Sequence, residues 1–324
     1  MNILGLDIGY SNLKWAVGQA GHRPHETILP SGAAPEDRLP HGIRIAEEGT
    51  TVRVGSEHWR IGLPHGRFDQ WTRALHENYS ESSGYRALFH GALLISGISH
   101  INRLVTGLPV TQWQNAKMRE LLAAQLTGCH DISLGRRVVV ESVEVIPQPL
   151  GAYLDQLWQS GDDARMLSEG RVLIVDPGFY SVDWIVIEGG ALRKSGSGSS
   201  LDAMSVLIRE TVQLISQEHK GQVSAEQVED ALRNQRTDIF LFGELLSLTH
   251  YLQMASKRVA HQAIELLRDA LRREAGSIDV IILAGGGAPY YRESIQATFA
   301  QSRIMMSEDP VQANARGFFY FGEM

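Results

Sequence analysis

The sequence predicts a two-domain α/β protein made by duplication, and three observations predict it. An apolar run near the start ends on Asp7-Ile8-Gly9-Tyr10-Ser11-Asn12-Leu13-Lys14. A second run, residues 171–175, ends on Asp176-Pro177-Gly178-Phe179-Tyr180-Ser181-Val182-Asp183 and repeats acid, glycine and hydroxyl in the same order. The chain, at 324 residues, is long enough for two domains with a core each. One such stretch can be structural. Two alike point to a duplicated domain with two hairpins facing each other across a cleft.

Residues 3–6 read as a buried strand and residues 13–17 as its return, so the first stretch is a β-hairpin. Gly9 in its turn permits positive φ, and Ser11 and Asn12 supply side-chain donors. A turn of this kind converges backbone N–H groups on one spot, which makes an anion site. Asp7 beside that spot would repel a bare phosphate, so a cation belongs between them. Magnesium held largely through water suits one carboxylate and phosphate oxygens, and Lys14 adds a further positive charge. The competing reading is an ordinary hairpin with a polar turn.

Composition narrows the class. The 43% hydrophobic and 21% charged content are those of an ordinary globular protein. A net charge of −7 and a pI of about 5.9 argue against unaided binding to nucleic acid or an anionic membrane. A single cysteine, Cys129, excludes an internal disulfide and suits a reducing compartment. The N-terminus lacks a basic region and meets Asp7 too early for a signal peptide. No run approaches the ~18 apolar residues of a membrane span. A cytoplasmic protein is expected.

Residues 19–40, rich in Gly, Pro and His, read as a loop with an irregular strand. His22 and His25 flank Pro24 without a third ligand, which argues against zinc. Residues 51–55 read as a strand entering a turn, while residues 61–79 have no periodicity that assigns an element. Trp59, Trp71 and Tyr79 lack the basic surround of a base-stacking surface and read as core or subunit-contact packing. Helical spacing begins at Tyr85 with Leu88, Leu93, Leu94 and Ile95. Residues 103–110 read as a strand ending in the turn Thr106-Gly107-Leu108-Pro109, and residues 114–127 as a helix stopped by Gly128. Cys129 and His130 read as helix-end packing, since a nucleophile–base pair would need a depressed thiol pKa. Residues 138–146 read as a kinked strand and residues 150–158 as a helix, with the acidic stretch 161–170 crossing into the second domain.

In the second half Gly189-Gly190 makes a turn. The tract Ser195-Gly196-Ser197-Gly198-Ser199-Ser200 precedes a helical run starting near Leu201. It reads either as a flexible linker or as the anion- or ribose-binding start of a helix. Ser224-Ala225-Glu226-Gln227 is a capping box. Residues 244–273 carry the longest helical pattern, and residues 280–283 a buried strand that runs into Ala284-Gly285-Gly286-Gly287-Ala288. Residues 304–306 read as a short strand and residues 311–318 as a closing helix.

These stretches together resemble the actin/heat-shock-chaperone/sugar-kinase ATPase superfamily, and within it most the bacterial plasmid-segregation actins, the ParM/StbA group. The two acidic hairpins are similar to its two phosphate motifs, and Val280-Ile281-Ile282-Leu283 with its glycines to its adenosine motif. Pro147-Gln148-Pro149-Leu150-Gly151 resembles the first connecting segment, and Ala313-Asn314-Ala315-Arg316-Gly317 the second, where small residues let two helices cross closely as a hinge. Thr106-Gly107-Leu108-Pro109 resembles the end of a first-domain strand in segregation actins.

The resemblance implies an α/β, actin-like ATPase fold: two duplicated ribonuclease-H-like domains, each with a five-stranded mixed sheet, around a nucleotide cleft. Domain one would hold residues 1–165 plus 310–324, and domain two residues 166–309. It implies ATP, with GTP the alternative, and Mg2+ held through water by Asp7 and Asp176. Nucleotide contacts would come from Gly9, Tyr10, Ser11, Asn12, Lys14, Gly178, Phe179, Tyr180, Ser181, Lys257 and Gly285, Gly286 and Gly287. Arg258 stands beside Lys257 as an equivalent candidate. Gln148 falls where many members carry a water-orienting Glu or Gln. An amide can accept from water and donate to phosphate, so catalysis by positioning is implied, with Asp7 and Asp176 as the other catalytic residues. Segregation actins usually carry Glu there, so Gln148 is a departure.

Fold alone implies nucleotide binding only. The function implied is a nucleotide-dependent filament of the protein itself, serving plasmid partition through a DNA-binding adaptor. The alternatives are a non-polymerising regulatory ATPase and a small-molecule kinase, for whose catalytic acid Asp155 is the one candidate. A chaperone would need a substrate-binding domain for which the chain has no room.

Overall fold

Asn2–Ile8 forms strand β1, and Asn12–Gln19 returns beside it antiparallel as β2, with Asp7 opposite Lys14. This computed structural model describes residues 1–39, 49–68, 76–272 and 276–324; Pro40, Trp71 and Arg273, which the readings above included, lie outside them. Strand β3 (His25–Pro30) continues the sheet along β2, and β4 (Gly32–Pro35), β5 (Thr50–Val54) and β6 (Glu57–Leu63) make a separate antiparallel sheet in the order β4-β6-β5. Helix α1 (Ser83–Ser96) precedes β7 (His100–Leu108); α2 (Val110–Gln114) and α3 (Ala116–Leu126) precede the hairpin of β8 (Gly128–Ser133) and β9 (Arg136–Pro147). Helix α4 (Gln148–Gln159) follows directly.

The central sheet of this first unit, Met1–Met166 with Ser307–Met324, has six strands in the order β3-β2-β1-β7-β9-β8, not five. The extra strand lies in residues 19–40, where a loop with an irregular strand was expected. A strand carrying His25 and Pro30 is tolerated because β3 is an edge, where polar side chains and proline cost no ladder on the far side. The expected helix over residues 114–127 is broken at Asn115, whose side chain accepts the Lys117 N–H and caps α3. Cys129 and His130 belong to β8 rather than a helix end and so face opposite sides, Cys129 exposed and His130 buried. Strand β9 runs without interruption through the expected kink.

The short helix α5 (Ala164–Glu169) leads into the second unit, Leu167–Met306. Strands β10 (Arg171–Pro177), β11 (Val182–Glu188) and β12 (Ala191–Ser200) are followed by α6 (Met204–His219) and α7 (Ala225–Arg233), the latter opened by the Ser224–Gln227 capping box. A small hairpin, β13 (Asp238–Leu241) and β14 (Glu244–Ser247), precedes α8 (Thr249–Leu271). Strand β15 (Val280–Leu283), helix α9 (Ala288–Thr298) and β16 (Arg303–Met306) complete a five-stranded sheet in the order β12-β11-β10-β15-β16.

Two expectations change here. The Ser/Gly tract is the edge strand β12, not a helix start, and its Gly198 makes room for the Trp184 ring, which a Cβ would approach to 2.8 Å. Residues 244–247 are a strand because Phe242 and Gly243 both take positive φ, 52° and 86°, and close a tight two-residue turn.

Helix α10 (Ala313–Glu323) returns to the first unit and crosses α4 at two glycines. A Cβ on Gly317 would lie 1.7 Å from the Gly151 carbonyl oxygen, and one on Gly5 of β1 would lie 2.3 Å from the Ala315 carbonyl oxygen. The same helix pair holds a buried ion network. Arg316 donates to both Asp155 oxygens at 2.7 and 2.8 Å, and to Glu26 at 3.0 Å. Burial opposes the guanidinium charge, but the hydrogen bonds and charges of Asp155 and Glu26 outweigh it and hold Arg316 firmly protonated.

Two predictions follow from this packing. Gly317→Ala should lower stability by about 1–3 kcal/mol, the usual cost of overpacking, read as a drop in the urea midpoint. The second concerns His90 on α1, whose Nδ1 lies 2.6 Å from the Arg53 carbonyl and whose pKa burial pushes down to about 4. Burial likewise lowers His130, which lies beside it with ring centres 6.0 Å apart. The unfolded histidine binds its proton near ~6.5, so between ~6.5 and ~4 the unfolded state holds more protons. Stability should therefore fall as pH drops through that window, by roughly 3 kcal/mol for His90. Urea midpoints at pH 7.5 and 4.5 should differ less in His90→Asn than in the parent; equal slopes would show that His90 is not the cause.

Candidate functional site

The two acidic hairpins close in the same way. The Gly9 N–H donates to the Asn12 carbonyl at 3.0 Å, and the Gly178 N–H to the Ser181 carbonyl at 2.8 Å. Neither glycine takes positive φ, contrary to the expectation for Gly9. They are required for space: a Cβ would lie 3.1 Å from the Asn12 carbonyl oxygen in one turn and 3.0 Å from that of Ser181 in the other. Their N–H groups serve the turn, so each glycine shapes the tip rather than donating to an anion.

In the first hairpin Asp7 is 1% exposed, and its Oδ2 lies 2.5 Å from Lys14 Nζ, directly across the ladder. No donor is aligned on that oxygen for a hydrogen bond, so the contact is an ion pair. Gln148 Nε2 donates to the other oxygen at 3.2 Å. The amide arrives there because α4 starts at Gln148 after the extended Pro147, and because Gly107 leaves room: a Cβ at 107 would lie 2.8 Å from Gln148 Cγ. Asp7, Lys14 and Gln148 are thus brought together. Tyr10 is not among them, since its ring is buried, stacks on Tyr79 at 4.4 Å and donates its hydroxyl to the His76 carbonyl. Ser11 and Asn12 stand half-buried at the tip, the Ser11 carbonyl accepting the Ser31 N–H. Trp59 is likewise core, as its packing reading expected.

In the second hairpin the residue facing Asp176 is Asp183, the register equivalent of Lys14. Both carboxylates are buried, and like charges directly opposite on one face repel. Asp183 is held by the Ser181 hydroxyl at 2.5 Å and by the Ser199 hydroxyl of β12. Asp176 lies against the glycine run, where a Cβ on Gly285 (φ +73°) would come within 2.1 Å of Asp176 Oδ1. The Gly287 N–H donates to the Pro177 carbonyl at 2.9 Å. Gly285 and Gly287 therefore fit the chain to the acidic hairpin, while Gly286 is exposed. The N-terminal donors of α6 are also taken by this hairpin: Met204 N–H donates to Gly178 and Ser205 N–H to Phe179. Phe179 packs on the core of this unit and Tyr180 stands half-buried beside it.

Lys257 is exposed on α8, and its neighbour Arg258 pairs with Glu210 of α6 at 2.7 Å, which makes Arg258 a surface ion pair. Asp155 is fully buried and doubly bonded to Arg316, so it has no reach to a substrate. Asp183 is the residue that sequence reasoning passed over. The signal lay in aligning the two copies, which sets an acid where the first has a lysine.

The donors fit a magnesium–phosphate group. Carboxylates are hard oxygen ligands that suit magnesium, and each hairpin by itself presents them: Asp7 in the first, Asp176 and Asp183 in register in the second. Among the described residues no group of three or more His, Cys, Asp or Glu side chains could hold a metal alone, so water and phosphate would complete the coordination.

Residues 5–151 match the family model for the N-terminal domain of actin-like proteins, and residues 174–297 that for the C-terminal domain of the archaeal MreB-like actin homologue. No curated protein matches by sequence. Among solved structures, the archaeal actin homologue Ta0583 in complex with ADP is similar with a TM-score of 0.77 and 18% identity over 100% of this chain and 99% of that one. A 15-stranded ParM filament from Clostridium botulinum gives a TM-score of 0.71 at 17% identity, covering 99% and 98%. Bacillus thuringiensis ParM with AMPPNP gives 0.63 at 13%, also covering 99% and 98%. At such identities the structural likeness establishes the fold. Residues 5–151 and 174–297 thus match the two domains of actin-like proteins in order, and the chain has the actin-like fold that it shares with the archaeal homologue and with ParM.

Proposed function

We propose that this protein is an actin-like, magnesium-dependent ATPase that assembles into nucleotide-dependent filaments. The observation that carries the reading is the pair of matching acidic hairpins, with Gln148 hydrogen-bonded to Asp7. Relatives solved with ADP and AMPPNP, and as a ParM filament, support nucleotide binding and self-assembly. ATP is the expected nucleotide, with GTP the alternative, and plasmid or DNA segregation through an adaptor is the expected role.

When bound, magnesium would supply neutralisation of phosphate charge. Asp7, Asp176 and Asp183 are the carboxylates that would hold it, directly or through water. Lys14 already neutralises Asp7, so the two hairpins divide the work: a mixed-charge pair at the first and a doubly acidic pair at the second. Gln148, its Nε2 anchored on Asp7, would use its amide oxygen to accept a hydrogen bond from water and so orient that water. An amide is no general base, so it contributes orientation rather than proton abstraction. The kinase alternative loses its catalytic acid, because Asp155 is locked in the ion network with Arg316.

Asp7→Asn and Asp176→Asn should each remove most magnesium-dependent ATP turnover while circular dichroism stays unchanged; turnover at the parent rate in either would refute the assignment. Gln148→Ala should slow turnover by roughly one to three orders of magnitude with little change in nucleotide affinity. Lost binding with intact turnover would make Gln148 structural. Electron microscopy with a non-hydrolysable ATP analogue should show filaments, and rising salt should assist them or leave them alone by screening the net negative charge. Monomers at all concentrations and salts would overturn the filament reading.

A further inference from the structure

The first unit carries a groove of about 550 Å³ where the β2–β3 turn meets the ends of α4 and α10. One wall is an aromatic pair, Trp158 stacked on Tyr320 with ring centres 4.6 Å apart and planes within 9°. Trp158 is nevertheless 63% exposed, a large apolar face offered to whatever enters. The rim is acidic. Glu26, Glu308, Asp309 and Glu323 line it against Arg23 and Arg316, and Arg316 is committed to Asp155 and Glu26. An aromatic wall with an acidic rim suits an apolar tip flanked by arginine or lysine.

Such a tip exists on the same unit. Hairpin β8–β9 turns at Leu134-Gly135, with Gly135 at φ +70°, and Ser133 pairs with Arg136. Leu134 is 91% exposed, more than any other large apolar side chain described, and Arg136 follows close behind it, while Arg137 pairs with Asp131 at 2.8 Å. The tip also projects. Val139 pairs with His100, the first residue of β7, so the turn reaches past the neighbouring strand by several residues. It lies at the same end of the sheet as the β2–β3 turn, because Gln19 pairs with Asn2 at the start of β1 and β1, β7 and β9 run parallel. It lies at the opposite edge, however. Five strand spacings of ~4.8 Å separate β3 from β8, about 24 Å.

We propose that the Leu134 tip of one copy of this chain seats in the Trp158–Tyr320 groove of a second copy. Knob and groove are different surfaces, so each copy offers one of each and the contact passes from copy to copy. A single tip buries well under ~1,000 Å², which makes one contact weak and a row of them strong when the copies are already aligned along a polymer. The contact goes beyond the nucleotide reading, since it lies wholly in the first unit and needs no nucleotide.

Sedimentation velocity of nucleotide-free protein over a wide concentration range tests it. The parent should associate increasingly with concentration, and less at high salt. Leu134→Asp should weaken association about thirtyfold, as loss of an interface anchor does, with ATP turnover unchanged. Trp158→Ala should do the same, and Glu308→Lys on the rim provides a groove variant that leaves the aromatic stack intact. Mixing Leu134→Asp with either groove variant should restore one intact contact per pair, giving 1:1 dimers and nothing larger. A parent that stays monomeric, or a mixture that stays monomeric, overturns the proposal and leaves the groove to a basic partner of another kind. Failure of filaments with the ATP analogue would not change these outcomes.

Discussion

The close crossing of α4 and α10 at Gly151 and Gly317 is the constraint on which the first unit depends. A Cβ on either glycine would run into the other helix backbone, with 1.7 Å left at Gly317. That closeness lets α10 lie on β1 at Gly5 and lets Phe318 reach the Gly107 position, where Gln148 also packs. Asp7 stands two residues beyond Gly5 on β1, and Gln148 is the first residue of α4. The contact between them is therefore set by how two helices and one strand stack, not by the 3.2 Å hydrogen bond alone. Arg316 fastens the same crossing from within. Its pairing with Asp155 is structural, and a buried pair of this kind is costly to break because the survivor keeps an unpaired charge.

Duplication set two like frames and then changed the charge on one. The acid–glycine turns share their register and their closing hydrogen bond, yet position 14 is a lysine and position 183 an aspartate. In the first hairpin the fold neutralises its own acid. In the second, two acids face each other, and hydroxyls from Ser181 and Ser199 hold one of them.

Much of this was legible in the sequence. Buried strands announced themselves as apolar runs, and the acid-x-glycine repeat announced the duplication, because turn chemistry and alternation are local properties. The Ser224–Gln227 capping box and the glycines at the helix crossing were legible for the same reason. What local chemistry could not decide was pairing. Residues 25–30 look like an irregular strand within a loop but become a regular edge strand beside β2, and residues 195–200 look like a linker or a helix start but become part of β12 beside β11. Asp183 acquires meaning only when β10 and β11 set it opposite Asp176. Gly9 was readable because its constraint is local, the Asn12 carbonyl 3.1 Å from any Cβ in the same turn, whereas Gly285 also answers to a tertiary neighbour, the Asp176 carboxylate 2.1 Å from where its Cβ would lie. The sequence determined most of the elements and the repeat, because those are written in neighbouring residues. Which side chains meet was decided by tertiary structure, since contacts between residues far apart along the chain depend on register and helix crossing, which no local pattern encodes.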